Sequence, residues 1–495
     1  MSEPAFHLAE DPLVKERLDK ARKLAARGVD PFGRRFDGAE AIAAVRARCP
    51  EDSAEGTVPP PARAAGRIMR LRDHGKVVFL DLADRTGTIQ VYLRRDDIGA
   101  EAFEVVRLLD LGDHLGVEGA VKKTHKGEIS IFAARVVFLG KALLPIPEKW
   151  HGLKDVELRY RHRYVDLFAN PGVRDGFVRR AAILRDIRSY LEARGFLEVE
   201  TPMMHAIAGG AAARPFVTHL HALDMPLFLR VAPELYLKRL LVGGLERVFE
   251  LNRNFRNEGM SPRHNPEFTM LEVYQAYADY EEMMTLTEGL VADAAARHAG
   301  GLKIRYQGRE IDFTPPFRRA RYRELFAEAA GFALDDRARV EARAKELEVW
   351  EAAAPFEKVV NAVFETLVEP TLVQPTFVCD FPRALCPLAK ARADDPEVAE
   401  RFELIVSRME LANAFTELND PVDQEARFRA QVASRDEEAP GEVDYDYVRA
   451  LAHGMPPAGG LGVGIDRLVM LLTDAPSIKD VILFPFLRRQ GAGEA

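Results

Sequence analysis

Residues 247–280, RVFELNRNFRNEGMSPRHNPEFTMLEVYQAYADY, constrain the fold more than any other stretch, because two apolar strand candidates flank a loop dense in charge. The loop region holds Arg253, Arg256, Glu258, Arg263, His264 and Asn265, and Phe268 returns an aromatic surface directly afterwards. Such a loop can clamp phosphate and stack a base. Arg256 suits that task because a guanidinium neutralises and orients phosphate oxygens through several donors. A charged hairpin that binds nothing has the same composition, so this segment alone leaves both readings open.

A second cluster is RFELIVSRMELANAFTELNDP, residues 401–421. Glu403 and Glu410 would align over two turns of a helix, whereas strand placement requires a different geometry. Paired carboxylates suit magnesium, a hard cation that favours oxygen ligands and lets ATP complete its shell. Glu410, Asn413 and Glu417 stand amid apolar residues, which argues against a purely solvated face because buried charge needs compensation. Near the C-terminus, GMPPAGGLGVGIDRLVMLLTDAPSIKDVILFPF sets glycines before Asp466 and Arg467 and then enters an apolar helical pattern over Leu468–Leu472. It is neither a P-loop nor a dinucleotide fingerprint. A tight glycine turn there could bring Arg467 over a nucleotide, or could be structural only.

Upstream, residues 12–28 read as a helix ending at Gly28, with Leu13, Leu18, Ala21 and Leu24 as its apolar stripe and a basic remainder that could pack on a neighbour or meet RNA backbone. An acidic, Gly- and Pro-containing connection follows at 51–66. GRIMRLRD, KVVFLDLAD, TIQVYLRR and GEISIFAARVVFLG then read as short strands with turns at DRTG and THKG, compatible with a five-stranded barrel over 63–140. Arg70, Arg72, Lys76, Phe79, Gln90 and Tyr92 bring charge and stacking surface together in sequence, but parity without register does not put them on one face. The alternation from Lys149 to Arg163 suits a domain junction or RNA. From about 175 onward, helical and strand patterns support one large α+β domain, with Ile183, Ile187, Tyr190 and Leu191 on a helix face and FLEVETP as a strand. The helix-rich stretch 340–370 could pack beside the site or cover it.

The 495 residues carry 69 basic and 77 acidic side chains, a formal charge of -8, so any RNA contact must be local. Cys49, Cys379 and Cys386 lack the companion pair of a four-ligand zinc site. The start, MSEPAFHLAEDPLVKER, has no basic segment followed by an apolar core, and no run of eighteen apolar residues occurs, so a cytoplasmic protein without membrane contact is expected.

Five ordered segments resemble bacterial lysyl-tRNA synthetases, within the class II aminoacyl-tRNA synthetases. GFLEVETPMM with GGAAARPF resembles motif 1 and its continuation, FRNEG…RHNPEFTMLEVY motif 2 and GLGVGIDRLVMLLT motif 3, while APELYLKR and MELANAFTELNDP add lysine-family agreement. The resemblance spans nearly the whole chain. It implies an α+β protein: an N-terminal helical extension and connection (1–62), an OB-type anticodon-binding barrel (63–140), an interdomain connection (141–174), an antiparallel-sheet catalytic domain surrounded by helices (175–490) and a short tail (491–495). It also implies a homodimer formed largely through motif 1.

By the same resemblance, Arg256 contacts the ATP α-phosphate and the lysine carboxylate, Arg263 and His264 approach the distal phosphates, and Phe268 and Arg467 sandwich adenine. Glu258 and Asn265 position the nucleotide, and Glu403 and Glu410 ligate Mg2+. Glu234 and Glu417 face the substrate ammonium with Tyr274 as orienting partner, while Glu272, Asn413 and backbone at Gly210 engage the amino-acid end. In the barrel, Phe79 stacks an anticodon base, and Arg72, Gln90 and Glu128 help read the tRNA. The implied reaction joins L-lysine and ATP as lysyl-adenylate with release of pyrophosphate, then passes lysine to the 3′ end of its tRNA and releases AMP. No side-chain triad is involved. Cys386 stands where the family often has serine, and Ala414 in ANAF replaces a glycine, a change expected to alter loop freedom. An aspartyl or asparaginyl enzyme would share the architecture but need a pocket for a carboxylate or amide; an inactive RNA-binding protein would lack the Arg256 clamp or the Glu403/Glu410 pair.

Overall fold

The structure is a computed structural model that describes residues 11–49, 60–146, 155–211, 213–351, 354–434 and 441–488. Outside the described residues lie the first ten positions of the N-terminal extension, 50–59 of the acidic connection, 147–154 of the interdomain connection, and the tail at 491–495. The chain forms two compact units, Met1–Lys154 with Arg488–Ala495, and Asp155–Leu487.

In the first unit, Asp11 caps the helix Pro12–Ala26 by accepting from Leu13 N at 2.8 Å, and the chain leaves the helix through Gly28 at φ +74°. Val14, Ala21 and Leu24 form its buried stripe. Leu13, expected in that stripe, is 58% exposed, because it points about a third of a turn away from Val14. The barrel strands are β1 (Pro61–Asp73), β2 (Val77–Ala83), β3 (Thr88–Arg94), β4 (His114–Lys123) and β5 (Ile129–Gly140), closed in the order β1-β2-β3-β5-β4. The expected strand segments lie in β1, β2, β3 and β5. β4, HLGVEGAVKK, is unanticipated because Gly116 and Gly119 dilute its apolar alternation. At the DRTG turn, Asp84 Oδ1 accepts from Thr86 N at 2.6 Å and Gly87 N at 3.0 Å, joining β2 to β3. Val78, Leu80, Leu82, Ile89, Val91, Leu93 and Ile131 fill the interior. Each such buried aliphatic side chain contributes about 1.5–3 kcal/mol.

The second unit is built on an eight-stranded sheet. Its order is Arg318–Arg321, Thr376–Pro382, Val398–Val406, Met409–Thr416, Ala458–Gly464, Glu267–Ala276, Arg247–Phe255 and Leu197–Glu198. The six central strands are antiparallel and each edge strand pairs in parallel, so the expected antiparallel sheet carries two parallel edges. FLEVETP supplies only the two-residue strand Leu197–Glu198. Side chains alternate between the faces: Leu271, Val273, Phe402, Leu404, Ala412, Ala414, Leu461 and Val463 enter the main core with the helices Pro171–Glu192, Tyr280–His298 and Ile465–Thr473. Ile183, Ile187 and Leu191 are buried on that helix face and Tyr190 is half-buried. Glu272, Tyr274, Glu403, Asn413, Gly460 and Gly462 take the other face, where a cavity forms.

GGLGVG is a strand, not a flexible turn, and the chain enters the Ile465–Thr473 helix directly from Gly464. Ala414 is fully buried in mid-strand opposite Leu461, so its methyl bears on sheet packing and not on a loop. From Asp155 on, the basic and aromatic segment is held within this unit: Arg163 Nη1 donates to Asp166 Oδ2 at 2.6 Å and Tyr160 Oη to Asp480 Oδ1 at 3.1 Å. In the 340–370 stretch, the helices Arg337–Glu346 and Phe356–Leu367 form a second core with Tyr322, Phe381 and Ile405, where the Tyr322 and Phe364 rings stack at 4.0 Å.

Candidate active site

The hairpin Arg247–Phe255/Glu267–Ala276 pairs Asn254 with Phe268 and Glu250 with Glu272. Arg253, expected in the loop, lies within the first strand, 3.6 Å from Glu267 Oε1. The loop proper is closed by Arg256 N donating to Pro266 O at 2.9 Å. That contact sets the Arg256 guanidinium 5.2 Å from the centroid of the Phe268 ring. No hydrogen bond or ion pair engages the guanidinium among the described residues, and its buried Nε has no partner. Arg263 Nη1 donates to Arg408 O at 2.6 Å. Asn265 Nδ2 donates to Glu267 O at 2.6 Å and leaves Oδ1 unpartnered.

Arg467 reaches the same place from the helix Ile465–Thr473. Its Nη1 donates to Glu410 O at 2.5 Å and lies 3.3 Å from Glu410 Oε2, and its Nη2 is 2.9 Å from His264 Nε2. An arginine can only donate, so His264 accepts at Nε2 and carries its proton on Nδ1, 2.8 Å from Ser261 Oγ. Burial and the adjacent Arg467 depress the His264 pKa, consistent with a neutral ring. Asp466 anchors the helix start: its Oδ2 accepts from Thr269 N at 2.7 Å and its Oδ1 pairs with Arg180 at 2.6 Å.

Glu403 and Glu410 occupy neighbouring strands, opposite Asn413 and Ile405, with a register shift between Leu404 and Ile405. Strand pairing, not two helical turns, therefore brings them together. Arg401, two residues before Glu403 and so on the same face, donates from Nη2 to Glu403 Oε1 at 2.5 Å and from Nη1 to Cys386 Sγ at 3.4 Å. The alternation of RFEL shows Arg401 once a strand is assumed. Burial pushes Glu403 up to about 8, Arg401 opposes this, and Glu410, Glu369 and Glu365 add to the rise. The last two acids come from the 340–370 region, which therefore borders the site. Burial, assisted by Glu365 and Glu410, pushes Glu369 up to about 7.

A cavity of about 450 Å3, in the range of small-molecule sites, opens among these elements. Its wall brings together Arg256, Glu258, Arg263, His264, Asn265, Phe268 and Arg467 with Glu403 and Glu410, and with Gly210, Glu234, Glu272, Tyr274 and Asn413. Cys386 is also on the wall; it is a buried thiol whose pKa is pushed up by burial. Tyr274 Oη donates to Glu272 Oε2 at 3.1 Å, and burial followed by the charge of Glu234 pushes Glu272 up to about 8.

Glu417 is the exception. It is fully buried behind Gly460 and does not line the wall. A Cβ on Gly460 would overlap Glu417 Oε1 and would lie 2.6 Å from Tyr274 Cε1, so the missing side chain is the space those two groups share. Glu417 Oε2 is ion-paired with Lys238, a fully buried lysine one turn after Glu234. Lys238 belongs to the APELYLKR segment, where its helical i,i+4 spacing from Glu234 is the one sequence signal of the pairing.

On the barrel, strand register resolves which side chains share a face. Phe79, Tyr92 and Phe132 are successive partners across β2, β3 and β5, with ring centroids 5.2 and 4.8 Å apart. Arg72 pairs with Phe79 and its guanidinium lies 5.9 Å from that ring. Gln90 accepts from Ser130 Oγ at 3.0 Å, and Glu128, exposed before β5, is 3.7 Å from Arg46. Phe132 and Lys122, whose ammonium is 4.1 Å from that ring, extend the platform beyond the sequence reading.

Comparison with known proteins first gives the class. Residues 155–488 match the family of tRNA synthetases class II (D, K and N), and residues 62–139 match the OB-fold nucleic acid binding domain. The lysine–tRNA ligase of Syntrophomonas wolfei is 54% identical over 496 residues, covering 99% of both chains. The lysine–tRNA ligase of Carboxydothermus hydrogenoformans is 52% identical over 489 residues, 97% of this chain and 99% of its own, and that of Streptococcus mutans is 50% identical over 487, 95% and 97%. The chain belongs to the lysine–tRNA ligase family of class II synthetases.

Proposed function

We infer that this protein activates L-lysine with ATP, releasing pyrophosphate, and transfers it from lysyl-adenylate to the 3′ end of a lysine tRNA, releasing AMP. The observation that carries this reading is one cavity in which an unpartnered guanidinium beside an aromatic ring faces the same space as a set of buried acids. Arg256 holds the α-phosphate and the lysine carboxylate, so the attacking oxygen and phosphorus are aligned while charge builds on the phosphate. Arg263 and His264 take the distal phosphates, Phe268 and Arg467 enclose adenine, and Glu258 and Asn265 orient the nucleotide. Glu272, Asn413 and the Gly210 backbone hold the amino-acid end. Glu234, oriented with Tyr274, meets the ammonium at the wall and Glu417 adds its charge from behind Gly460, since a buried cation requires ionic partners. Charging of bulk tRNA with labelled amino acids tests this: lysine is transferred, and transfer of aspartate or asparagine instead would reject the substrate assignment.

The residues present fit magnesium. Glu403 and Glu410 share the wall, and a cation there would offset the burial and the neighbouring acids that push Glu403 up. Among the described residues no cluster of three or more His, Cys, Asp or Glu side chains is built to hold a metal alone, so ATP oxygens and water would supply most of its shell. The ion supplies charge neutralisation at the phosphates.

We divide the chain at the boundaries expected from the resemblance, with the barrel over 63–140 as the tRNA-binding domain. Phe79 stacks an anticodon base, and Arg72, Gln90 and Glu128 position or read it. Phe79→Ala is expected to lower kcat/KM for tRNA charging about tenfold to hundredfold, the worth of one base–aromatic stack. Amino-acid activation should stay within about twofold; equal loss in both assays points to unfolding. A homodimer is supported by the apolar Leu197 and Met204 exposed in the motif 1 segment. No helix among the described residues is long and apolar enough to cross a membrane. A cytoplasmic location fits the tRNA substrate.

A further inference from the structure

We propose that Lys238 is a positioning and specificity-determining residue of the amino-acid pocket: its ammonium bridges Glu234 and Glu417, cancels one of their two charges, and leaves one net negative charge for the single side-chain ammonium of the substrate. The assignment rests on the reading of Glu234 and Glu417 as the ammonium site and adds a third member to it.

Lys238 Nζ lies 2.6 Å from Glu234 Oε1 and is in direct ionic contact with Glu417 Oε2. The Lys238 and Glu417 side chains are fully buried, and Glu234 nearly so. A lysine in that setting persists only when ion-paired, and two acids in that setting persist ionised only with a cation. Lys238 therefore does more than tie a helix to a strand. It takes one oxygen of each carboxylate, while Glu417 Oε1 has no hydrogen-bond partner among the described residues and lies over the missing side chain of Gly460. Glu234 is itself on the cavity wall, as is Gly460.

Burial is the largest influence on both acids and drives them toward protonation; Lys238 is the largest influence opposing it. The other charged or titratable groups around the trio include Glu272, Tyr274, Arg401 and Tyr447. Burial also pushes Glu272 up, in the same direction as the two acids of the trio. Lys238 favours the ionised form of both acids, the form a substrate ammonium needs as its acceptor.

The test is a double-mutant cycle on the full-length protein, reading the lysine KM by ATP–pyrophosphate exchange, with the ATP KM and thermal melting as controls. Glu417→Gln makes the trio neutral and should raise the lysine KM about a hundredfold. Lys238→Met alone leaves the acids uncompensated and should raise it about tenfold. Lys238→Met added to Glu417→Gln restores the single negative charge, and should lower the lysine KM at least about fivefold below that of Glu417→Gln. A purely structural lysine cannot produce that reversal of sign. A double variant whose lysine KM equals or exceeds that of Glu417→Gln overturns the proposal, and Lys238→Gln/Glu417→Gln, with the same charge, repeats the comparison if the methionine variant does not fold. Were Glu234→Gln and Glu417→Gln both to keep the parent lysine KM, the ammonium-site reading itself would fall; loss in those two without restoration by Lys238→Met removes only the role of Lys238.

Discussion

Replacing Arg256 by alanine is expected to lower lysine-dependent ATP–pyrophosphate exchange about a thousandfold at saturating lysine and ATP, the scale of removing a preorganised donor from developing charge. The guanidinium carries no hydrogen bond or ion pair to the protein among the described residues, and it lies 5.2 Å from the centroid of the Phe268 ring. Its removal therefore breaks no structural network, and thermal melting should be unchanged. The loss should fall on kcat, because the charge it meets grows as pyrophosphate leaves. Arg256→Lys keeps a charge but not the forked geometry, so it should recover only part of the rate. Exchange within about tenfold of the parent in folded Arg256→Ala would contradict the clamp.

Adding one methyl at Gly460 is expected to be nearly as damaging by a different route. The new Cβ would overlap Glu417 Oε1 and approach Tyr274 to 2.6 Å, and neither neighbour can yield cheaply. Glu417 is tied to Lys238, and Tyr274 is fixed by strand pairing directly opposite Gly460 and by its bond to Glu272. Overpacking of this kind costs about 1–3 kcal/mol in stability. If Tyr274 and the Glu417 charge behind it serve the amino-acid pocket as proposed, their displacement should also lower kcat/KM for lysine at least about a hundredfold, since a shift of an ångström at a positioned group has that effect. Gly460→Ala with parent melting behaviour and parent lysine KM would show that the space behind the wall is not needed. Gly462→Ala is the milder comparison: its nearest neighbour is the end of the flexible Met270 side chain at 3.0 Å.

The contrast between these two residues shows what could be seen in the sequence. Arg256 stands in a contiguous hairpin whose polar loop and flanking strands are visible as a block, and its neighbours Arg263, His264 and Phe268 come with it. Gly460 is in a run whose glycines suggest a flexible turn, although Glu417 and Tyr274 fill the space beside Gly460 and Met270 that beside Gly462. Chain entropy argues for a turn; tertiary packing makes a strand. Glu403 and Glu410 are recognisable as a pair, but their seven-residue separation fits a helix face as well as two paired strands, and only the register with Asn413 and Ile405 decides. Lys238 and Arg401 are missed for a common reason. Each is a basic residue beside a site acid, and sequence alone reads such a residue as solvated until burial is known. In the barrel, parity identifies outward positions, while the shared face of Phe79, Tyr92 and Phe132 depends on a parallel pairing of β3 with β5 across an intervening strand in the chain.

Arg256, Gly460 and Lys238 all bear on one claim, that phosphate clamp and ammonium pocket form a single lysine-activating centre. The most direct measurement is ATP–pyrophosphate exchange by the purified full-length protein with each of the twenty amino acids in turn, with magnesium present. Exchange that depends on lysine and exceeds that with every other amino acid by orders of magnitude is the expected result. Equal or faster exchange with aspartate, asparagine or a neutral amino acid, or no amino-acid-dependent exchange from folded protein, would contradict it.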